Sequence, residues 1–439
     1  MKARVGNVRW GIAVLLGTGI IINYFDRVNL SVATTSLIKE FHFSQADIGL
    51  LLSSYLWSYT ILQIPVGAML DRIGIKWMMR VGTIIWSIAS FMTAIVSGFG
   101  LIILSRVLLG IGEAPAFPGS SKATGYWFPV KERGLATSSF DAAAKFSSAL
   151  GLPIVALVVA TYGWRAGFWV TGALSLIYAA AFWLIYRNPS ETKRLSEEER
   201  HYIVEGGSQQ EGALVTNAMT NLGFLLRQRK VWGLTLGFTA YNYAFNLFLV
   251  WLPGYLQTQL HASVLKSGLY LIIPWLVAGT TDILIGGVLV DRLISRGYNP
   301  TKVRQVLLVI GMLLGVAAAG AAFTSDVNIA VAWLTISLAG LAFAAPIAWS
   351  IPSLIAPKGS VATVGGIMNF LGNLAGIVAP IVAGIVADRV GFAPNFLITG
   401  VILIAGIFCF LFILGRIEQI TAPPTEVSGI KEAGTTTAA

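Results

Sequence analysis

The sequence predicts an all-α membrane protein: twelve transmembrane helices in two pseudo-symmetric six-helix halves, with the N- and C-termini cytoplasmic. Three observations carry this reading. Of 439 residues, 56% are hydrophobic and 11% charged, with a mean hydropathy of +0.75, whereas a soluble domain carries about 25% charged residues. The apolar residues gather in twelve runs of roughly 20, the length a helix needs to cross a bilayer, rather than in the ten-residue alternation of a barrel. The second half of the chain also repeats signals found in the first.

Residues 1–9 are a short basic N-terminus. The apolar run after them is long enough to span and lacks a small-residue cleavage site, so no cleavable signal is expected. The first six spans are expected at roughly 10–33, 47–69, 78–97, 100–124, 134–160 and 165–186, and form an N-terminal half, 10–186. The second six are expected at roughly 231–256, 266–289, 303–323, 327–350, 360–386 and 393–414, in a C-terminal half, 231–415. Residues 187–230 between them hold Ser196-Glu-Glu-Glu-Arg200 and a Gly/Gln-rich patch, and read as a solvated cytoplasmic linker with one short amphipathic helix. The tail, 416–439, is rich in Pro, Thr and Ala and is expected to be disordered.

With the N-terminus cytoplasmic, that side collects about 22 of the 30 Lys and Arg residues, a strong positive-inside bias. The opposite side receives only Lys39, Arg165, Lys266 and Arg389. This placement accounts for most of the net charge of +10 and removes any need for a nucleic-acid partner. The lone cysteine, Cys409, lies inside the last span, so there is no disulfide framework. His42, His201 and His261 fall in expected loops at no metal-ligand spacing. Neither a nucleophile–base set nor a Walker A loop is present, so an enzyme or an ATP-driven pump is not indicated.

Gly67-x-x-x-Asp71-Arg72-x-Gly74, followed by Lys76 and Arg80, is answered 220 residues later by Gly287-x-x-x-Asp291-Arg292, followed by Arg296. Gly163 to Gly172 is answered by Gly391 to Gly400, 228 residues on. Two parallel repeats related by an axis along the membrane normal place a binding site between the halves near the midplane, with alternating access by rocking. Asp71, Arg72 and Arg80, with Asp291 and Arg292, stand at helix–loop junctions. There they pair with neighbouring helix ends in one state and release in the other, a conformational latch that includes Gly67. Arg389 beside Asp388 is either a mirror copy of this motif or an ordinary surface pair.

Asp26 and Arg27 lie near the end of the first span, where a charged side chain costs at least ~2.5–3.5 kcal/mol. They read either as a self-neutralised or snorkelling pair, or as the mark of an ion or substrate path. Arg106 and Glu113, seven apart in the fourth span, project from nearly one helix face. The N-terminal half is therefore expected to hold two acids and two guanidiniums in its cavity. Arg27 and Arg106 are the natural clamps for an anion, since guanidinium binds carboxylate bidentately.

These residues carry a family resemblance. Asn23-Tyr-Phe-Asp-Arg-Val-Asn-Leu-Ser31, Arg106 with Gly110-Ile-Gly-Glu-Ala-Pro-Ala-Phe-Pro118, and Trp127-Phe-Pro-x-x-Glu-Arg-Gly134 are its first part. Gly163-Trp-Arg-x-x-Phe168, Trp251-Leu-Pro253 and Gly365-Gly-Ile-Met-Asn-Phe-Leu-Gly-Asn373 complete it. Together with the Gly-x-x-x-Asp-Arg-x-Gly loop, the chain resembles the major facilitator superfamily and, more narrowly, its anion:cation symporter family. The resemblance implies proton-coupled import of an organic anion, often a hexuronate, hexonate or aldarate, across a bacterial-type inner membrane. The proton is the coupling ion, no cofactor is needed, and a monomer suffices. It further implies that Asp26 and Glu113 are proton-coupling acids and that Arg27 binds the substrate carboxylate. Contacts to sugar hydroxyls are implied for Tyr24, Tyr59, Asn246, Trp349, Ser353, Asn369 and Asn373, each of which is as readily a packing or helix-bridging residue.

Two charges depart from that pattern, and two more fall within the spans. Asp141 and Lys145, four apart in the fifth span, are either a self-neutralising pair or place Lys145 as a third cation for a second carboxylate. Asp282 in the eighth span is a gate residue, a second protonation site or part of a local ion pair. Lys122, near the cytoplasmic end of the fourth span, is expected to snorkel rather than bind a ligand. The alternative readings are a symporter of aromatic or small dicarboxylates and an uncoupled anion facilitator.

Overall fold

The computed structural model describes residues 6–208, 222–357 and 361–421, and every element in it is helical. The middle of the linker, the tail beyond residue 421 and the side chains of Asp71, Asp141 and Ser353 lie outside the described residues.

The N-terminal half contains α1 (Val8–Val32), α2 (Thr34–Phe41), α3 (Gln45–Arg72), α4 (Ile75–Ile95), α5 (Phe99–Glu113), α6 (Ala116–Trp127), α7 (Val130–Tyr162) and α8 (Trp164–Ile185). The expected fourth span is thus two helices. The break follows Glu113 because Pro115 has no N–H to donate and its ring clashes with a continuing helix. The linker carries α9 (Glu197–Glu205) and α10 (Leu222–Leu225). The C-terminal half contains α11 (Arg229–Thr258), α12 (Val264–Tyr270), α13 (Ile272–Thr281), α14 (Val290–Ser295), α15 (Pro300–Val316), α16 (Val327–Ile355), α17 (Val361–Val390) and α18 (Ala393–Phe408). A π-helical segment, Asp282–Leu289, joins α13 to α14.

Among the described residues, ten helical segments are long and apolar enough to cross a membrane. The other two expected spans, α3 and α11, are helices of 28 and 30 residues. Both carry polar residues along their length, among them Ser53, Ser54, Ser58 and Gln63 on α3 and Asn242, Asn246 and Gln257 on α11.

The linker is not simply solvated. Glu199 of α9 is fully buried and accepts from the backbone N–H groups of Val8 and Arg9, each at 3.2 Å, and from Arg9 Nη1 at 2.8 Å. Arg9 also donates to Glu132 at 2.8 Å and lies 5.0 Å over the Tyr202 ring. A carboxylate at the N-terminus of α1 satisfies donors that the helix itself leaves unpaired and complements its dipole. The first half of the linker is therefore docked on the N-terminal half.

The halves meet through α3 against α17, α1 against α11, and α7 against α12 and α13. The hydrogen bonds that join them gather at the face opposite the termini. There Ser31 Oγ donates to the Val250 carbonyl, Thr35 Oγ1 donates to Gln257, and Gln257 Nε2 donates to the Val32 carbonyl at 3.2 Å. A side chain at Gly49 would enter the Pro380 carbonyl and one at Gly384 the Gln45 carbonyl, so α3 and α17 touch through their main chains.

The same device seen at Glu199 recurs here between the halves. Asp388, near the end of α17, accepts from Gln45 N–H and Ala46 N–H of α3, both at 2.8 Å. Ser44 and Asp47 complete the α3 terminus with a capping box. Asp388 is thus a cap on the other half rather than the acid of a surface pair with Arg389. Replacing a cap costs about 0.5–2 kcal/mol, so Asp388→Ala should favour separation of the halves at this face. The expected outcome is faster maleimide labelling of a Ser31→Cys probe, which is buried here, in the Asp388→Ala background than without it.

Candidate functional site

Successive residues on α1 point about 100° apart, and this separates Asp26 from Arg27. Asp26, 1% exposed, faces α4 and α8 and accepts from Ser90 Oγ at 2.8 Å, Ser175 Oγ at 2.9 Å and Trp86 Nε1. The expectation that both acids share one cavity with both guanidiniums is corrected here. The Asp26 carboxylate is held by neutral donors, and the backbone carbonyl of Asp26, not its side chain, accepts from Arg106 Nη1 at 3.2 Å. The close approach of α5 to α4 supports this cage, because a Cβ at Gly112 would stand 2.5 Å from Trp86 N and 2.8 Å from its Cα.

Arg27 points the other way, to α3 and α5. Its Nε donates to Glu113 Oε2 at 3.0 Å, with the two side chains 7% and 0% exposed. Its Cζ lies 5.0 Å from the Tyr24 ring, 5.3 Å from Tyr55 and 5.0 Å from Tyr59. Arg106, 1% exposed, shares the Tyr55 ring, also at 5.3 Å. Glu113 therefore pairs with Arg27 across helices rather than with Arg106 on its own helix. Among the described residues, Arg27 Nη2, Arg106 Nε, Arg106 Nη2 and Glu113 Oε1 are buried with no hydrogen-bond partner. Desolvated guanidinium N–H groups over aromatic faces have the chemistry to receive a carboxylate, and a buried donor without an acceptor is costly.

The C-terminal half brings Asn246 of α11, 8% exposed, against α17, where a Cβ at Gly376 would stand 2.8 Å from its Nδ2. Asn246 Nδ2 donates to the Asn242 carbonyl at 3.0 Å. Asn373, one turn before Gly376, keeps its Nδ2 buried with no hydrogen-bond partner, and Asn369 is half-buried on the same helix. Trp349 is 46% exposed and packs edge-on against Phe238.

Asp282 is in an ion pair, one of the three readings of it, and its partner is Lys145, across the interface between the two halves. Lys122 donates to the Leu70 carbonyl at the end of α3, at 2.9 Å, which makes it a helix-end partner. Of the latch residues, Arg80 is buried and tied within its own half: Nη2 donates to the Trp183 carbonyl at 2.8 Å, and Cζ lies 4.7 Å from the Trp183 ring. Arg72, Asp291 and Arg292 are exposed and Gly67 is half-buried.

Sequence reasoning missed Tyr55, Trp86, Ser90 and Ser175. Tyr55 precedes Tyr59 by four residues, as Trp86 precedes Ser90 and Thr171 precedes Ser175. Polar or amphipathic pairs at that spacing stack on one helix face and were the available signal.

The sequence profile of the Major Facilitator Superfamily matches residues 16–380. The chain belongs to the Major Facilitator Superfamily. It is a multi-pass membrane transporter and not an enzyme. Within this superfamily it is 41% identical over 424 residues to an uncharacterized transporter, YybO, of Bacillus subtilis (strain 168), covering 95% of this chain and 96% of that protein. It is 34% identical to a probable L-galactonate transporter of Escherichia coli (strain K12), over 94% of this chain and 91% of the relative. It is 32% identical to GarP, a probable galactarate/D-glucarate transporter of the same organism, over 95% and 97% respectively.

Removing one partner of a buried ion pair costs about 3–5 kcal/mol. Glu113→Gln should therefore lower the melting temperature, and an organic anion that takes the Arg27 guanidinium should restore more stability to this variant than to the parent. Equal stabilisation of the two by the same anion would show that Glu113 and the anion do not compete for Arg27.

Proposed function

We propose that this transporter imports an organic anion, a sugar acid of the hexonate, hexuronate or aldarate class, together with protons by alternating access. The observation that carries the reading is the buried Arg27–Glu113 pair with its partnerless guanidinium nitrogens. Two curated relatives with sugar-acid names support the substrate class.

The coupling follows from charge balance. An incoming carboxylate that takes Arg27 displaces Glu113. An ionised carboxylate left in the membrane interior without a cation is strongly disfavoured and is neutralised by a proton. Anion and proton thus enter the site together, and both leave when Glu113 regains Arg27. Arg106 contributes a second set of donors beside Tyr55. Asp26, caged by Trp86, Ser90 and Ser175, is the second proton-coupling acid in this reading, set on the far side of α1. Tyr24, Tyr59, Asn246, Asn369, Asn373, Ser353 and Trp349 are proposed to bind the hydroxyl-bearing part of the substrate.

In the same reading twelve helices cross the membrane and the termini-bearing face is cytoplasmic, as the Lys and Arg bias implies. The joined face is then extracellular, and the described state is closed to the outside. Gly67, Asp71, Arg72 and Arg80, with Asp291 and Arg292, are proposed to form the corresponding closure on the cytoplasmic side.

The test is uptake of labelled galactonate, glucuronate and galactarate by reconstituted vesicles, with and without an inward proton gradient. Gradient-dependent accumulation is expected for one of them. Equilibration without accumulation would make the protein a facilitator and remove the roles of Asp26 and Glu113. Accumulation of phthalate or tartrate instead would move the substrate class. Arg27→Lys should lose binding, because a point charge does not reproduce the planar fork. Asp26→Asn should abolish gradient-driven accumulation while leaving some exchange, and full accumulation by that variant would refute its coupling role.

A further inference from the structure

We propose that Lys145 and Asp282 form a second anion subsite, closed by Asp282, which opens to take the distal acid group of a doubly charged sugar acid. The inference rests on Arg27 as the site of the first carboxylate.

The chemistry is already present in the pair. Lys145, on α7 of the N-terminal half, holds a carboxylate supplied by the π-helical segment that follows α13 in the C-terminal half, with the side chains 8% and 11% exposed. A second acid group of a substrate presents to Lys145 the group that Asp282 presents now. Exchanging one carboxylate for another keeps the ammonium compensated. A singly charged substrate has no such group and gains nothing from this contact.

The location fits. Tyr24, whose ring lies 5.0 Å from Arg27 Cζ, also packs against the apolar cluster of Ile20, Ala116 and Ala144, and Lys145 is the next residue on α7. Tyr24 thus links the first anion site to a cluster that includes the segment of α7 carrying the second cation.

The backbone at Asp282 fits as well. Asp282 is the first residue of the π-helical segment Asp282–Leu289, and π-turns inside α-helices concentrate at functional sites. The segment packs closely, since a Cβ at Gly286 would stand 2.5 Å from Pro346 Cγ. The carboxylate is therefore presented from the irregular turn of an otherwise tightly held helix.

The exchange has a mechanical result. Arg27 and Lys145 both belong to the N-terminal half, and Asp282 to the C-terminal half. A dianion spanning the two cations releases Asp282, which takes up a proton as Glu113 does, and replaces a tie between the halves with one inside a single half. Binding of a doubly charged substrate then frees the halves to rock.

The full-length protein in detergent tests this through apparent Kd values from thermal-shift titration with two matched pairs of probes: galactonate against galactarate, and benzoate against phthalate. Asp282→Asn should shift the monoanion-to-dianion Kd ratio toward the dianion by roughly tenfold, the scale of one charge-assisted contact. The double variant Lys145→Met/Asp282→Asn leaves no uncompensated charge of the pair and guards against misfolding. It should shift the ratio toward the monoanion by a similar factor. A ratio unmoved by both variants in both probe pairs overturns the subsite, whichever sugar acid the protein carries. A shift confined to phthalate over benzoate, with neither sugar acid bound, keeps the subsite and overturns the sugar-acid reading instead.

Discussion

The arrangement depends on the difficulty of keeping charge in the middle of a membrane. Arg27 and Glu113 are buried together, and neither is tolerable there alone. Much of the local structure answers this constraint. Pro115 ends α5 just past Glu113, and three tyrosine rings surround the Arg27 guanidinium. Arg106 adds a second cation that shares one of those rings. The result carries more N–H groups than the protein's own acceptors fill, which suits a site whose ligand arrives from outside.

The two halves are held to each other by different means at different depths. At the joined face the ties are hydrogen bonds, main-chain contacts at Gly49 and Gly384, and the Asp388 cap. Toward the middle of the interface the tie is the Lys145–Asp282 ion pair. Helix α9 belongs with the N-terminal half through Glu199, so the moving body on that side is larger than its membrane helices.

Helix positions were legible in the sequence because an apolar run of bilayer length is a strong and local signal. The adjacency of two charges at Asp26 and Arg27 marked the site for the same reason. Partners were not legible, because a helix face is fixed by rotation and packing that no single segment encodes. Asp26 turns to α4 and α8, where hydroxyls and an indole in unremarkable sequence receive it. Lys145 reaches an acid 137 positions on in the other half. Asp388 beside Arg389 looked like a pair in one dimension and is a cap in three. Glu199 stood in a run of charges that reads as solvated, and the N-terminus of α1 that buries it lies 190 residues earlier.

The Asp388 cap has a consequence of its own. Its hydrogen bonds to α3 are exposed, whereas the Arg27–Glu113 pair is sealed from water. Dissolved ions largely screen exposed charges more than about 8 Å apart at physiological ionic strength and weaken closer exposed contacts in part, while they reach buried ones much less. When the halves part, both the carboxylate and the α3 N–H groups become hydrated, and water replaces what the cap supplied. The strength of that seal is therefore set partly by the medium bathing it, while the recognition of the anion is insulated from the same medium.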